Sequence, residues 1–247
     1  MSEAGPAVVV KNLTKSFGSQ KVLSGLSLNV AQGEVLAVLG RSGTGKSVLL
    51  KLLIGLEQPD AGSIQVEGQE MTGLTGKPLG EIRKKMGFLF QQAALYDSLT
   101  VEENVAFPLS RHTRLNTEEQ KAKARELLES VGMKDDLSKF PSEISGGMQK
   151  RVGLARALAL DPAVVLLDEP TAGLDPITGA EIGELISTLQ QQRQMTSIVV
   201  THDIHGARQF ADRLVMLNQG NLVIEGTFDD LGKSKDPFVR QFMKNAA

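Results

Sequence analysis

The 247-residue sequence predicts an α/β fold with a mostly parallel core sheet and a helical insertion at about residues 91–160. Two uninterrupted apolar runs, "AVVLLDEP" (163–170) and "TSIVVTHD" (196–203), are typical of strands buried on both faces of a parallel sheet. A helical pattern, "ITGAEIGELISTLQQQ" (177–192), lies between them and completes a strand–helix–strand unit. Because the chain contains no internal repeat and no low-complexity linker, we expect one domain over residues 1–247.

The first 90 residues are predicted to be mainly strands, since short apolar runs alternate there with glycine-containing turns. One helix is expected in this part, from Lys46 to Leu53, directly after a glycine-rich loop. The predicted strands are "AVVVKNLTKSF" (7–17), "LSGLSLNV" (23–30), "EVLAVLG" (34–40), "GSIQVEG" (62–68) and "KKMGFLF" (84–90).

A helical pattern covers residues 101–132, and Thr117 is interpreted as an N-cap and Gly132 as a helix end. A loop and a helix follow, and this helix ends before Pro162. Near the C-terminus, "DRLVMLNQGNLVIEG" is predicted to be a hairpin and "DPFVRQFMKNAA" a short helix or tail.

The composition is that of an ordinary globular protein, with 41% hydrophobic and 23% charged residues. The net charge of -2 argues against nucleic-acid binding driven by bulk charge, so no nucleic-acid partner is expected. The absence of cysteine excludes disulfides and thiolate metal sites. We see neither a secretory signal nor a run of about 18 apolar residues, so any membrane role is expected to need a partner.

A phosphate-binding loop is predicted at "GRSGTGKS" (40–47), which fits G-x-x-x-x-G-K-[ST] between a strand and a helix. Its glycines allow the backbone N–H groups to approach phosphate oxygens closely. Lys46 is expected to reach the β- and γ-phosphates of a nucleotide, and Ser47 to offer a hydroxyl to Mg²⁺.

Two adjacent carboxylates end the apolar strand that precedes Pro170. Asp168 is placed to complete the Mg²⁺ shell, and Glu169 is expected to point to the other side, toward the γ-phosphate and the attacking water. A carboxylate in that position can act as a general base. A simple acidic turn would explain one acid, but two less readily.

Three further candidates are ambiguous when each is taken alone. His202 ends a strand at the sheet edge where ligands bind, but a structural histidine is an equal alternative. Gln91 could contact Mg²⁺ or the water, although a glutamine after a strand is usually unremarkable in function. Phe17 could stack on adenine, but an isolated phenylalanine is more often a core residue.

A second anion site is predicted at Ser145-Gly146-Gly147, just before a basic amphipathic helix. Unlike the loop at 40–47, these residues are not followed by a lysine–serine pair that could hold Mg²⁺, so the site is incomplete.

Together these residues resemble the ATP-binding cassette (ABC) ATPases over nearly the whole chain. The elements of that family occur in order: Phe17, the Walker A loop 40–47, Gln91, the signature "ISGGMQKR" (144–151), "VVLLDE" (164–169), "AGLD" (172–175) and His202. Mild departures are Ile144 for leucine, Phe17 for tyrosine and Val48 for threonine, and none of them removes a catalytic group.

The resemblance implies a P-loop NTPase fold of the ABC type, with an antiparallel β subdomain and a helical subdomain beside the core sheet. Residues 1–90 and 161–230 would form the RecA-like core with the β subdomain, residues 91–160 the helical subdomain, and residues 231–247 a C-terminal helix or tail.

The resemblance also implies the ligands and the site. ATP and Mg²⁺ are the expected cofactors, and the chain is expected to hydrolyse ATP. The catalytic residues would be Lys46, Gln91, Glu169 and His202, and the metal ligands Ser47, Gln91 and Asp168. The nucleotide would be bound by Phe17, Gly40, Arg41, Ser42, Gly43, Thr44, Gly45, Lys46, Ser47, Val48, Ser145, Gly146, Gly147 and Asp175.

In the family two cassettes pack head to tail around two ATP molecules, so a second copy of the chain is the first expected partner. Ser145, Gly146 and Gly147 would then face the γ-phosphate held by the other copy, with Asp175 at the same seam. Hydrolysis would remove the nucleotide that joins the copies.

Residues 88–109 and 236–247 look like those of the ATPase subunits of Mla and Mce-type lipid transporters, in which a C-terminal tail can reach the neighbouring ATPase. Leu95, Tyr96, Leu99, Val101 and Phe107 could line a groove for a permease helix or pack the helical lobe. That reading implies permease subunits, a periplasmic MCE-domain component and a place at the cytoplasmic face of the inner membrane. The alternatives are an amino-acid or methionine importer ATPase and a soluble ABC ATPase of cluster assembly.

Overall fold

A computed structural model describes residues 5–244 and contains two β-sheets and nine α-helices within that range. The strands are β1 (Val8–Phe17), β2 (Gln20–Val30), β3 (Val35–Leu39), β4 (Ala61–Val66), β5 (Gln69–Glu70), β6 (Met86–Leu89), β7 (Val164–Asp168), β8 (Thr196–Thr201), β9 (Arg213–Asn218) and β10 (Asn221–Gly226). The helices are α1 (Lys46–Leu53), α2 (Gly76–Arg83), α3 (Val101–His112), α4 (Thr117–Ser130), α5 (Gly146–Ala157), α6 (Pro176–Arg193), α7 (Ile204–Phe210), α8 (Phe228–Gly232) and α9 (Pro237–Lys244).

The larger sheet has the strand order β10-β9-β3-β8-β7-β6, and every neighbouring pair is parallel except the β9–β10 hairpin. The prediction of a mostly parallel core sheet is therefore confirmed. The carboxyl ends of β3, β7 and β8 lie side by side, because Leu39 pairs with Thr201 and Asp168 with Val200. This edge collects the side chains that follow those strands.

The smaller sheet is antiparallel, with the order β2-β1-β4-β5. The expected antiparallel β subdomain is thus present. It brings Val22, on β2, against the loop after β3, so one wall of that loop comes from the second sheet.

Alternate residues of the core strands supply two separate hydrophobic cores, one on each face of the larger sheet. Val35, Ala37 and Leu39 of β3 pack with the apolar residues of α3 to α6. Leu36 and Val38, from the same strand, pack with α1 and the antiparallel sheet. The period of two in β3 thereby places the helical elements and the phosphate-binding helix on opposite faces.

The predicted helix cap at Thr117 is wrong by one residue. Asn116 is the N-cap of α4: its side chain accepts a hydrogen bond from Glu119 N, and the Glu119 carboxylate accepts one from Asn116 N. This capping box satisfies two otherwise unpaired N–H groups, which is why the helix begins after the asparagine. At the other end Gly132 has φ 73°, as expected for a residue that ends a helix.

Two other local expectations can be compared with the structure. The predicted hairpin is present, and its turn residues Gln219 and Gly220 both have positive φ, of 47° and 75°. The helices α2, α7 and α8 were not predicted. Within residues 5–244 no helix is both long and apolar enough to cross a membrane.

Candidate functional site

The loop between β3 and α1 wraps tightly because two of its glycines adopt conformations closed to other residues. Gly43 has φ 79° and Gly45 has φ 100°. A Cβ on Gly45 would also lie 2.9 Å from the carbonyl oxygen of Val22. Gly45 is the N-cap of α1 and offers no side chain to its first N–H groups, so these groups stay available to an anion.

Lys46 is almost fully buried inside this loop. Its ammonium donates hydrogen bonds to the carbonyl oxygens of Gly40 at 2.8 Å and Arg41 at 3.2 Å, and it lies 3.5 Å from Glu169 Oε1. These two carbonyl groups of the preceding loop thus hold the Lys46 ammonium near the N-terminus of α1. A buried cation with partial neutralisation attracts the phosphate groups of a nucleotide.

A hydroxyl–carboxylate pair lies beside that cation, because Ser47 opens α1 and Asp168 ends β7. Ser47 Oγ donates to Asp168 Oδ1 at 2.9 Å. Burial raises the pKa of Asp168, and the hydrogen bond from Ser47 opposes that rise. Two hard oxygen ligands with few competing protein ligands fit Mg²⁺, which completes its shell with phosphate oxygens and water.

Glu169 follows Asp168, but the expected strand alternation does not extend to it. The strand ends at Asp168, and Glu169 adopts φ 47°. Its Oε2 lies 2.8 Å from His202 Nδ1 and also accepts a hydrogen bond from His202 N at 3.3 Å. In the tautomer with a proton on Nδ1, this contact is a hydrogen bond that the Glu169 carboxylate accepts. The side chains of Asp168 and Glu169 do point in different directions, as expected. The cause is the left-handed backbone conformation of Glu169, and not the alternation of side chains along a strand.

A cavity of about 590 Å³ joins these groups, a size suited to a nucleotide. It brings together residues separated by 200 positions in sequence. The predicted site residues that line it are Arg41, Ser42, Gly43, Gly45, Lys46, Ser47, Val48, Gln91, Glu169 and His202. Gly40 and Thr44 lie behind this lining, where Thr44 Oγ1 donates to Arg41 O at 2.9 Å.

Two buried or half-buried cations of α5 hold the backbone on one side of this cavity, and neither was predicted. Lys150 donates to the carbonyl oxygens of Gln91 at 2.5 Å and Glu169 at 3.1 Å. Arg156 donates to those of Ala93 at 2.5 Å and Ala94 at 2.7 Å. Both cations belong to a helix that the sequence marked only as basic and amphipathic.

The C-terminal helix α9 supplies another wall that the sequence did not predict. Gln241 and Phe242 line the cavity. Gln241 Oε1 accepts a hydrogen bond from Arg41 Nη2 at 2.9 Å, and the Arg41 guanidinium lies over the ring of Phe238 at 5.6 Å. The predicted C-terminal helix therefore packs against the phosphate-binding loop of its own chain. Residues 245–247 of the predicted helix or tail lie outside the described residues.

Besides Gly40 and Thr44, five of the predicted nucleotide-binding residues are not part of this cavity lining: Phe17, Ser145, Gly146, Gly147 and Asp175. Phe17 ends β1 with 45% of its surface exposed, and the ammonium of Lys15 lies 5.0 Å from its ring centre. Ser145 caps α5 by accepting a hydrogen bond from Met148 N at 3.3 Å. Ser145 and Gly146 are exposed, so their surface is open to another molecule.

Thr178 connects the signature to the loop that holds Asp175. The Thr178 hydroxyl donates to Asp175 Oδ2 at 2.6 Å, and this bond, with backbone N–H groups, holds the pKa of Asp175 below its usual value. The Thr178 methyl group lies so close to Gly147 that a Cβ there would sit 2.5 Å away. Gly147 and Asp175 consequently share one rigid surface at the starts of α5 and α6.

Residues 23–172, more than half of the chain, match the family model described as "ABC transporter". The chain belongs to the ABC transporter family. Members of this family hydrolyse ATP to power transport, and this chain is an ATP-binding subunit of an ABC transporter.

Curated ABC relatives cover nearly the whole chain. The "Probable ribonucleotide transport ATP-binding protein mkl" of Mycobacterium leprae is 46% identical over 97% of this chain and 69% of the relative. The "Methionine import ATP-binding protein MetN" of Brucella abortus is 40% identical over 90% of this chain and 60% of the relative.

Solved ABC cassettes share the fold. A dimeric post-hydrolysis state of the ATP-binding cassette MJ0796, bound to ADP and Pi, superposes with a TM-score of 0.82. It is 36% identical, and the match covers 89% of this chain and 98% of that one. The same cassette in another dimeric structure gives a TM-score of 0.83 at 35% identity. Cassettes of this family form dimers and work with transmembrane permeases.

Proposed function

We propose that this ABC subunit hydrolyses Mg²⁺-ATP in a head-to-tail dimer and thereby drives a membrane transporter of lipids. The observation that carries the dimeric part is the division of the predicted nucleotide site. One cavity holds the Walker A loop with Gln91, Glu169 and His202, while the exposed Ser145 and Gly146 lie elsewhere on the chain. A second copy would supply those residues to the first.

Each residue of the cavity has a separate task in this proposal. Lys46 and the N–H groups at the start of α1 hold the phosphates, and Ser47, Asp168 and Gln91 hold Mg²⁺. A Mg²⁺ ion held by these residues would supply positive charge against the phosphate oxygens. The 2.9 Å contact between Ser47 Oγ and Asp168 Oδ1 supports a Mg²⁺ site at these two residues.

Glu169 acts on the attacking water as a general base in the same proposal. His202 Nδ1 orients the carboxylate through the 2.8 Å hydrogen bond, which leaves the other ring nitrogen free to face the terminal phosphate. Orientation of the base by a second group is a common arrangement in hydrolytic sites.

The surface after Gln91 supports docking of a permease. Of the five residues predicted to line a groove there, Val101 is fully buried, whereas Leu95, Leu99 and Phe107 are half-buried. Tyr96 is 47% exposed, and its ring packs against that of Phe107 at 4.8 Å. An exposed tyrosine packed on a half-buried phenylalanine suits a hydrophobic partner segment.

Buried Asn104 braces this surface from below. Its side-chain amide donates to the carbonyl oxygens of Tyr96, Leu99 and Thr100, and its Oδ1 accepts from Tyr96 N at 2.8 Å. A loop fixed by four hydrogen bonds can transmit force between a permease and the cavity with little deformation.

The lipid substrate is supported by the resemblance of residues 88–109 and 236–247 to Mla and Mce-type ATPases. In that setting the chain would lie at the cytoplasmic face of the inner membrane, bound to permease subunits and connected through them to a periplasmic MCE-domain protein. An amino-acid importer of the methionine type is the second candidate, favoured by the 40% identity to a methionine import ATPase. A ribonucleotide is a third substrate class, since it stands in the name of a relative at 46% identity.

The test is to purify the complex that this chain forms in its native membrane and to identify its subunits. We expect permease subunits and a protein with an MCE domain. The purified complex is then placed in phospholipid vesicles, and ATP-dependent lipid transfer is compared with uptake of methionine and of ribonucleotides. Lipid transfer supports the proposal; ATP-dependent uptake of a small solute instead, or a chain without membrane partners, contradicts it.

A further inference from the structure

Lys150 is a buried cation to which the proposed function assigns no role. It lies on the second turn of α5, with 5% of its surface exposed, and its ammonium contacts two neutral carbonyl oxygens. Burial lowers the pKa of Lys150, because a charge is costly to remove from water. The charges of Asp168 and Glu169 oppose this lowering, but the hydrogen bonds that Lys150 donates go to the two carbonyl oxygens.

The two carbonyl groups that Lys150 contacts belong to Gln91, a proposed Mg²⁺ ligand, and to Glu169, the proposed general base. Gln91 follows β6, and Glu169 follows β7. These positions are 59 and 19 residues from Lys150 in sequence. One side chain of the signature helix therefore joins the carboxyl ends of two neighbouring strands.

Glu169 needs this support because its backbone has an unusual conformation. Its φ of 47° places it in the left-handed region, which is unfavourable for a residue with a Cβ. Its N–H donates to Val200 O at 2.9 Å, and its carbonyl accepts from Ala172 N at 3.1 Å and from Lys150. Lys150 is the donor that connects this peptide to the helical part of the molecule.

Arg156 shows which part of this contact is special to Lys150. It lies on the same helix and also donates to two carbonyl groups after β6, those of Ala93 and Ala94. Arg156 thus holds the same loop to α5 without contacting Glu169. Lys150 alone of the two reaches the proposed general base.

We propose that Lys150 is a positioning residue for ATP hydrolysis, which holds the backbones of Gln91 and Glu169 at a fixed separation and so keeps the proposed Mg²⁺ ligand and the proposed general base aligned. It does not line the cavity and would not contact the nucleotide. This inference rests on the proposed roles of Gln91 and Glu169. It adds that the signature helix controls their alignment from within the same chain.

The expected kinetic signature is a loss of turnover without a loss of nucleotide binding. The Walker A loop is held by its own glycines and by Lys46, so removal of Lys150 leaves ATP affinity in place. Small displacements of a general base reduce the rate strongly because the reaction depends on near-attack geometry.

The test uses the full chain and two substitutions with opposite expectations. Lys150→Met fills the same volume without donors, and we expect kcat to fall at least about tenfold with the Kd for ATP within about threefold. Lys150→Arg keeps two donors, as Arg156 does on the same helix, and should retain at least about half of the wild-type kcat. Lys123→Met is the matched control: this lysine of α4 forms an ion pair with Asp161, away from the cavity, and kcat should not change.

Unchanged kcat in Lys150→Met, equal losses in the methionine and arginine variants, or a parallel loss of ATP binding would overturn the inference. Glu169→Gln is measured beside them to separate the two proposals. If that variant turns over normally, the proposed function fails; if it is inactive while Lys150→Met is normal, only the role of Lys150 fails.

Discussion

At the scale of single residues, the site is built from groups whose environments differ sharply although they are adjacent in sequence. Asp168 is buried and bound to Ser47, whereas Glu169 turns out of the strand toward Lys46 and His202. The change in backbone conformation between these two neighbouring residues therefore gives each carboxylate a different set of partners. This separation is what allows one of them to bind a metal ion while the other acts on water.

Replacement of Glu169 by glutamine tests the proposed general base. Glutamine has the same shape and can keep a contact with His202, but it cannot accept a proton at neutral pH. We expect ATP to bind with nearly unchanged affinity and kcat to fall by about 10²–10⁴. Steady-state hydrolysis and equilibrium binding measure the two quantities, and a variant with normal turnover would contradict the role of Glu169.

Asp168→Asn should lower Mg²⁺-dependent hydrolysis and raise the free energy of unfolding at pH 7. Because the pKa of Asp168 is raised in the folded state above its usual value of 3.8, the unfolded chain releases this proton first as pH rises. The wild-type protein thus loses stability from about pH 3.8 up to the folded-state pKa, and asparagine does not.

Chemical denaturation at several pH values measures this difference. The free energy of unfolding of Asp168→Asn should exceed that of the wild type at pH 7 and equal it near pH 3, and Mg²⁺-dependent hydrolysis should be nearly lost. Glu184→Gln, an exposed position of α6, is the control for a general effect of removing an acid. Equal stability of the Asp168 variant and the wild type at every pH would refute the argument.

At the scale of secondary-structure elements, α5 and α9 support the cavity in two different ways. Helix α5 offers cations to backbone carbonyls, and α9 offers Gln241 and Phe242 to the cavity wall. Helix α9 has a strongly one-sided distribution of apolar residues: Val239 is fully buried, and Phe238, Phe242 and Met243 pack on the larger core. An eight-residue helix is too short to be stable alone, so this packing holds it.

Val239→Asp should release α9 without unfolding the sheets. Loss of the buried valine side chain costs about 1.5–3 kcal/mol, and burial of an unpaired carboxylate in its place costs considerably more. We expect amide hydrogen exchange to accelerate over residues 237–244 and at Arg41, which loses Gln241, while β3 and β8 stay protected. Arg240→Ala, on the exposed side of the same helix, should leave exchange unchanged. Exchange that is equally slow in both variants would show that the packing of Val239 does not hold α9.

At the scale of the whole molecule, the antiparallel and parallel sheets and the helical elements place two incomplete halves of a nucleotide site on one chain. The half in the cavity holds the phosphates. The half formed by Ser145 and Gly147 shares a rigid surface with Asp175 through Thr178. Head-to-tail association of two copies is the symmetric way to join such halves, because each copy then gives what the other lacks.

Mixing two variants tests this association. Ser145→Arg places a bulky charged side chain at the start of α5, where the partner's phosphate would lie, and leaves the cavity of its own chain intact. We expect Glu169→Gln alone to form an ATP-dependent dimer in size-exclusion chromatography, and added Ser145→Arg chains not to enter it. Ser142→Arg, at an exposed position before the signature, is the control. Unhindered mixed dimers would contradict the proposed arrangement of the site.

The sequence by itself determined the features that depend on neighbouring residues. The Walker A loop, the acids after β7 and the parallel strands could be predicted because turn formation, phosphate approach and strand burial follow from local residue type and spacing. The proposal of a dimer also came from sequence, since Ser145-Gly146-Gly147 lacks a lysine–serine pair.

Only the tertiary structure decided which distant residues support those features. Lys150 reaches Gln91 across 59 positions, and Arg41 reaches Gln241 across 200. A basic residue on an amphipathic helix has the same pattern in sequence whether it faces solvent or a buried carbonyl. The difference arises from the path of the chain, which aligns the carboxyl ends of β6 and β7 under α5 and folds α9 back onto the phosphate-binding loop.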